Sequence, residues 1–463
     1  MGAHSPKGHE MTKHSSEATE KMLAELAEHA LGLAARHGAQ QAAASVSHVR
    51  EVEVAWRDGQ LERLHEAQSR GLAIEFYVDG RFASVSTSDL RREALEPLVR
   101  DGVAMTRALE PDPFRKLADP ERYPDPKRAL DDSDLQLSDP HYGDLTALQR
   151  REQAQALEVA ARSVPGADKI LSVSTSVSDS QSTVFRCDSQ GFRGFRHSTS
   201  FWRSAEVSVQ DPDGRRPEES DYHGARFLAD VFAPELVGKS AAERALQRVG
   251  AVKLPSGQRT LLVDARAAGR LVSALLGPMS ASSLQQKRSF YSGDVGQLIG
   301  SPLLDIRDDP FVVRGFASRY FDGEGMASAP RPLYQAGKVA NFFVDTYYGR
   351  KLGWPATCGH ASNLAWILGN ADLEGLMRGV DDGLLVTGFL GGNSNATTGD
   401  FSLGIQGFAI RQGKLAEPFG EMNLAGSHLT FWQQLTALGN DPNLLSPLRT
   451  PTLVFADAAV AGA

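Results

Sequence analysis

Apolar and polar positions change period several times along the chain, and each change marks an element. From Ser16, Met22, Leu23, Leu26, Ala30, Leu33 and Ala34 recur at helical spacing, with Glu17 and Glu20 at the favourable N-terminal end and His37-Gly38 as the stop. Val52, Val54 and Trp56 then alternate as on a strand, and Asp58-Gly59 is a tight-hairpin dipeptide. Gly71 to Val78 predicts a strand, Asp79-Gly80 a second hairpin and Arg81 to Thr87 the return strand. Ser86-Thr87-Ser88-Asp89 offers helix caps ahead of Leu90, Leu95, Leu98, Val99 and Val103. Residues 109–143 break the pattern: Pro111, Pro113, Pro120, Pro124, Pro126 and Pro140 lie among Asp and Arg, which predicts a surface linker.

A helix over Leu145 to Ala161 follows, ending before Val164-Pro165-Gly166. Short strands at Ile170 to Val177, Thr183 to Cys187, Gly191 to His197 and Phe201 to Val209 predict an antiparallel meander, and a helix over Ser240 to Val249 closes the unit. The next unit opens with a strand, Thr260 to Val263, and an amphipathic helix, Ala265 to Leu276. Strand and turn signals then run to the end. Within them, Leu384-Leu385-Val386 leads into the Gly-rich stretch Thr387 to Gly413. It has a bend at Gly391 to Asn395, alternating segments at Phe401 to Gln406 and Gly407 to Arg411, and a turn at Gln412-Gly413. So many glycines in strand positions predict close backbone approach. The pattern as a whole is α+β. It divides into a disordered tail (1–14), an N-terminal helix and antiparallel-strand unit (15–108), a linker (109–143), a middle β-meander (144–252) and a β-rich C-terminal domain with the Gly-rich strand region (253–463).

Composition narrows the class. With 463 residues, 41% hydrophobic and 23% charged, the chain is an ordinary globular protein of two or three domains. No run of about 18 apolar residues predicts a membrane span, and the polar N-terminus has no signal-like apolar core. Two cysteines, Cys187 and Cys358, fit a reducing, cytoplasmic setting rather than a disulfide scaffold. A net charge of -8 argues against nonspecific nucleic-acid binding.

Four constellations carry possible chemistry. His9-Glu10-Met11-Thr12-Lys13-His14 spells H-E-x-x-x-H, but no apolar face is there to hold it as a rigid metal site. Asp322 and Glu324 pair two carboxylates for acid/base work or a cation, against a plain turn. Cys358-Gly359-His360 offers a thiol and an imidazole, although residues two apart need not face each other. Thr398-Gly399-Asp400-Phe401-Ser402 resembles a phosphate loop but lacks the order and the lysine of one.

Taken together, several stretches resemble the TldD/PmbA family. They are Asp79-Gly80-Arg81, Ser86 to Asp89, Ser289-Phe290, Phe321-Asp322-Gly323-Glu324-Gly325, Tyr348 to Gly353, Gly359-His360-Ala361, Thr398 to Ser402, Gly407-Phe408, Gln412-Gly413 and Gly439-Asn440-Asp441. Their order spans roughly residues 45 to 445. In that family one branch, TldD, carries H-E-x-x-x-H on a helix of the C-terminal unit, completed by a downstream cysteine. The other branch, TldE (PmbA), pairs with it and lacks those residues. Here Val272 and Gly277 stand where the histidines would be and Ser273 where the glutamate would be, and no cysteine follows Asp441. Valine and glycine offer zinc no donor.

The resemblance therefore implies a TldE-like subunit, with no catalytic residues, metal or cofactor of its own. Its zinc-bearing partner would be a TldD-like chain, and the pair would process unfolded peptides. Alone, the chain would be open to forming a homodimer. Expected substrate or interface positions are Asp322, Glu324, Cys358, His360, Asn393, Gly399, Asp400, Phe401 and Ser402. The rival expectation is a self-sufficient peptide hydrolase using Cys358 and His360. A third, regulation of a DNA-associated enzyme, comes from the family's older naming and gains nothing from the acidic balance.

Overall fold

The structure, a computed structural model, describes residues 6–463, with side chains from Glu17 onward. Helix α1 (Pro6–Arg36) begins ten residues before the expected start, and His9, Glu10 and His14 lie outside the described side chains. Strands β1 (Gln41–Arg57), β2 (Gln60–Val78) and β3 (Arg81–Thr87) follow through the two expected hairpins. Asp58 and Asp79 take φ of 45° and 50° ahead of Gly59 and Gly80 at 81° and 73°, the left-handed pairs a two-residue turn demands. Helix α2 (Arg92–Arg107) starts later than the predicted caps. Thr87 and Asp89 instead accept from the amides of Asp89 and Arg91, so they shape the turn before the helix.

Residues 109–143, expected as a surface linker, are anchored. They hold the short helix α3 (Pro126–Leu130) and bury Leu117, Ala118, Ala129, Leu135 and Leu137. Ala129, Leu135 and Leu137 pack with Phe192, Tyr320 and Phe321, so scattered apolar residues between the prolines strap two parts of the molecule together. Helix α4 (Ala147–Ala161) follows, started by a reciprocal capping box between Thr146 and Gln149.

The four expected short strands are two long ones, β4 (Ile170–Asp188) and β5 (Arg193–Val209), followed by β6 (Glu218–Ala225). Ser180 to Ser182 and Ser198 to Ser200 pair with each other across β4 and β5, and ladder pairing carries both strands through these polar runs. All six strands form one antiparallel sheet, β3-β2-β1-β4-β5-β6, in which β1 and β4 stay in register from Ala43–Asp188 to Arg57–Ser174. The N-terminal strands and the meander thus share a sheet. Helix α5 (Pro234–Gln247) packs with α4 against Val54, Trp56, Val173, Val177, Ala205 and Val207. Helices α1 and α2 cover Ala42, Ala44, Val46, Ile74, Phe76 and Phe185. Strand parity puts both sets on one face. The other face of β4 and β5 is polar and meets the C-terminal domain at Arg196 and Phe321.

That domain begins with β7 (Gly257–Val263) and α6 (Ala265–Leu276), whose bounds match the sequence expectation for the helix. Short elements follow: α7 (Ala281–Gln285), β8 (Ile306–Asp309), β9 (Arg331–Gln335), β10 (Lys338–Val339), α8 (Thr346–Leu352), β11 (Asn363–Trp366) and α9 (Leu373–Met377). Strands β8 to β11 make a small sheet. Then come β12 (Asp382–Ser394), β13 (Asp400–Arg411), β14 (Lys414–Ser427), α10 (His428–Phe431), β15 (Leu435–Leu438) and β16 (Leu453–Ala461). Their sheet runs β14-β13-β12-β7-β16-β15, and a further β14–β16 pairing closes it into a barrel around Leu261, Val263, Val386, Ile405, Phe419 and Phe455.

Candidate functional site

Within the barrel, β12 outruns its neighbour. Strand β7 pairs with it only from Gly383–Thr260 to Val386–Val263, because the chain turns at Asp264 into α6. Beyond Val386, β12 is paired on one side by β13, and among the described residues no strand pairs with its other side up to Ser394. The Gly391–Asn395 bend expected from sequence is a bulge within this strand. The register shifts between Leu390 and Asn393, and Gly391 and Gly392 take φ of 63° and 76°. The reversal itself falls at Asn395 to Gly399. The alternating segments Phe401–Gln406 and Gly407–Arg411 are one strand, shifted at Gly407. As predicted, the glycines permit close approach. A Cβ on Gly404 would strike the Leu390 carbonyl, and one on Gly407 the Leu385 carbonyl.

The half-paired edge faces a cleft of about 680 Å³. One wall is β12, with Thr387, Gly388 and Phe389, and a second is the first turns of α6, with Arg266, Gly269 and Arg270. The third wall is Arg244 of α5, within the helix expected over Ser240 to Val249, with Glu219 and Tyr222 of β6, a strand that went unread in the sequence. Glu218 to Ala225 is a polar run after a Pro-containing turn and shows no alternation to mark a strand. Arg270 donates to the Gly392 carbonyl at 3.3 Å. Arg266 pairs with Asp221 and lies 4.5 Å over the Tyr222 ring. Burial pushes the Glu219 carboxyl up against the opposing pull of Arg244 and Arg248.

Helix α6 holds Val272 and Ser273 and runs up to Gly277, the positions at which the sequence resemblance places the catalytic branch's ligands. Val272 is fully buried in the barrel core, the Ser273 hydroxyl donates to the Gly269 carbonyl at 2.8 Å, and Gly277 ends the helix. An aliphatic group, a back-bonded hydroxyl and a missing side chain do not fit zinc, which takes N, S or O donors. Among the described residues, no group of three or more His, Cys, Asp or Glu is placed to hold a metal ion.

The residues singled out in the sequence fall in two places. Asn393, Asp400 and Ser402 lie exposed at the outer end of β12 and β13, where Asp400 accepts from the Thr398 hydroxyl and Ser402 bonds Asn423. Gly399 holds the turn at φ 83°. Phe401 points inward and packs on His428 and Phe431 with ring centroids 4.7 and 5.2 Å apart, which makes it core rather than a surface contact. Burial pushes His428 down to about 4, so it is a neutral core imidazole between Ser394 and Trp432.

The second group lies far along the chain, between the barrel and the long sheet. Asp322 makes the turn, its Oδ1 accepting from the amides of Glu324 and Met326 at 2.9 and 3.1 Å. Glu324 accepts from the amide and hydroxyl of Thr346, both at 2.8 Å. Cys358 and His360 do not form a nucleophile–base pair. The buried thiol lies against Arg331 and donates to the carbonyl, not the ring, of His360 at 3.0 Å. Burial pushes that thiol up, while partial burial and Arg319 push the His360 imidazole down. A protonated thiol with no base in contact is a poor nucleophile.

A helix-covered sheet docked on a closed barrel, with a cleft between them, is matched along its length by three domains of one metallopeptidase class. Residues 42–106 match "PmbA/TldA metallopeptidase domain 1", residues 140–249 the "central domain" and residues 256–462 the "C-terminal domain". The chain belongs to the PmbA/TldD family. It is 27% identical over 461 residues to the metalloprotease PmbA of Escherichia coli O157:H7, covering 96% of this chain and 97% of that one. A solved structure from Bacteroides thetaiotaomicron, of a protein proposed to modulate DNA gyrase, is 36% identical with a TM-score of 0.89, covering 95% of this chain and 98% of that one. TldE from Thermococcus kodakarensis shares the fold, with a TM-score of 0.80 at 18% identity over 94% of this chain and 100% of that one.

Proposed function

We propose that this chain is the subunit without a hydrolytic centre in a TldD/TldE-type metalloprotease pair. The single observation that carries this is α6, which offers Val272, Ser273 and Gly277, none a zinc donor, at the positions where the resemblance would put two imidazoles and a carboxylate. The zinc and the general base belong to a TldD-like partner. This chain contributes substrate binding: an unfolded peptide adds as a strand to the free edge of β12 at Gly388 to Ser394, held by main-chain hydrogen bonds. Backbone recognition tolerates many sequences, which suits a cavity that receives unfolded peptides. Two buried free cysteines are in keeping with a cytoplasmic setting. No helix among the described residues is long and apolar enough to cross a membrane.

The test is to purify the chain alone and together with a relative carrying H-E-x-x-x-H, then assay cleavage of an unfolded peptide and bound metal. The pair is expected to cleave and to hold about one zinc, and the lone chain to do neither. Cleavage by the lone chain with about one metal per chain overturns the proposal. A photocrosslinker at Phe389 or Leu390 is expected to capture the peptide. Peptide captured only by the partner overturns the assignment of the β12 edge.

A further inference from the structure

Between the polar face of β4 and β5 and the segment 316–321 lies a separate cavity of about 230 Å³. Its wall brings together three guanidinium groups from distant parts of the sequence: Arg196 on β5, Arg226 after β6, and Arg319 ahead of β9. None of the three is in an ion pair among the described residues. Arg196 donates to the Phe321 carbonyl, and Arg226 to those of Phe316 and Thr199, the latter at 3.1 Å. Arg319 donates to the carbonyls of His360, Ala361 and Ala317 at 2.9, 3.2 and 3.3 Å. The Nε of every one is buried without a hydrogen-bond partner, and Arg319 as a whole is 8% exposed.

The neighbouring acids do not balance this charge. Asp132 also lines the cavity, but its oxygens accept from the His197 amide and Nδ1 at 3.0 and 3.1 Å. Asp322 spends Oδ1 on two amides of its own turn, and its buried Oδ2, which has no hydrogen-bond partner, attracts Arg196 but leaves the three guanidinium groups in excess. Burial, with Arg319 adding its repulsion, lowers Arg196 to about 10, and burial alone lowers Arg226 to about 10. The cavity therefore disfavours its own cations. Stapling the 316–321 segment to the sheet accounts for the carbonyl contacts, but it explains neither the three idle Nε–H groups nor the excess of three guanidinium groups over the two carboxylates, Asp322 and Asp132, that attract Arg196. A guanidinium fork matches planar or tetrahedral oxyanions, and buried unpaired charge is costly.

We propose that this cavity is a binding site for a small oxyanion, a carboxylate or a phosphate, held by Arg196, Arg226 and Arg319. It is distinct from the β12 edge and does not depend on the function proposed above. Arg226 and Phe316 also line an adjoining hollow that reaches Ser446, itself part of the cleft wall. A terminal carboxylate of a bound peptide and a free anion are therefore both reachable sources.

The full-length chain would be titrated with sodium phosphate against sodium chloride at matched ionic strength, by calorimetry and thermal unfolding. Two peptides of one sequence, with free and with amidated C-termini, would be the competitors. Saturable binding of one phosphate per chain is expected, weakened about tenfold or more in Arg226→Gln and Arg319→Gln. Competition by the free-acid peptide alone assigns the site to a peptide terminus; competition by neither peptide assigns it to a free anion. Ser198→Asp places a carboxylate in the cavity wall, so it should abolish phosphate binding and raise the stability of the anion-free protein. This variant keeps the test decisive if the arginine variants fold poorly. Absence of saturable binding by phosphate and by the free-acid peptide overturns the proposal, as does unchanged phosphate affinity in Ser198→Asp.

Discussion

The carboxyl of Glu324 sits in front of α8 and accepts two hydrogen bonds from Thr346, an arrangement that ordinarily favours the carboxylate. Its pKa is nevertheless pushed up to about 7, first by burial, with Asp322 and Asp345 adding repulsion that the Thr346 bonds do not offset. The sign for stability follows from proton counts. Between the ordinary value of 4.5 and about 7, the folded chain holds a proton that the unfolded chain has released. Stability from this group is full below 4.5 and falls as pH rises to about 7. Glu324→Gln keeps the acceptor and stays neutral. It should therefore gain on the order of 1–3 kcal/mol relative to the parent between pH 5 and pH 8, read by urea unfolding at both pH values. A constant difference between the two proteins across that range would refute the assignment.

At the level of elements, turns were the most legible. Asp58-Gly59, Asp79-Gly80 and Gln412-Gly413 all pair a positive-φ residue with glycine, the type I′ arrangement whose twist matches that of the flanking strands. Helix α6 was equally plain from its apolar stripe, and in the structure Asp264 caps it. Strands β4 and β5 were not, because serine-rich positions become strand only through the ladders on either side. The sequence marked β12 and α6 as elements, but none of the side chains expected as site residues lines the cleft between them; β6 was not read, and of those expected side chains only His360 lines the arginine cavity, which is assembled from residues far apart in the chain. Nor did the sequence separate exposed Ser402 from its neighbour Phe401, which turns into the core. At Gly407 the barrel strands approach tightly, against the Leu385 carbonyl. Gly407→Ala must push the Leu385 carbonyl away, so a loss of about 1–3 kcal/mol and reduced peptide capture at the β12 edge are expected. Unchanged unfolding would mean that the barrel does not need this close approach.

For the molecule as a whole, one sheet joins what the sequence divides into two units, and the buried Arg150–Asp179 pair ties α4 to its centre, with Nη2 to Oδ1 at 2.9 Å. The strap at 109–143 fastens that sheet to the barrel domain. Arg350 grips the carbonyls of Lys116 and Leu117, both at 2.7 Å. Barrel closure has a consequence for synthesis. β16 sits against β7, with Leu453 opposite Val263, and also reaches β14. While the polypeptide is being made on the ribosome, β7 must wait with one edge bare until β16 has emerged. Deleting residues 453–463 should therefore leave β7, β14 and β15 without this partner, in a nascent product that is captured by chaperones or precipitates, while the N-terminal sheet folds on schedule.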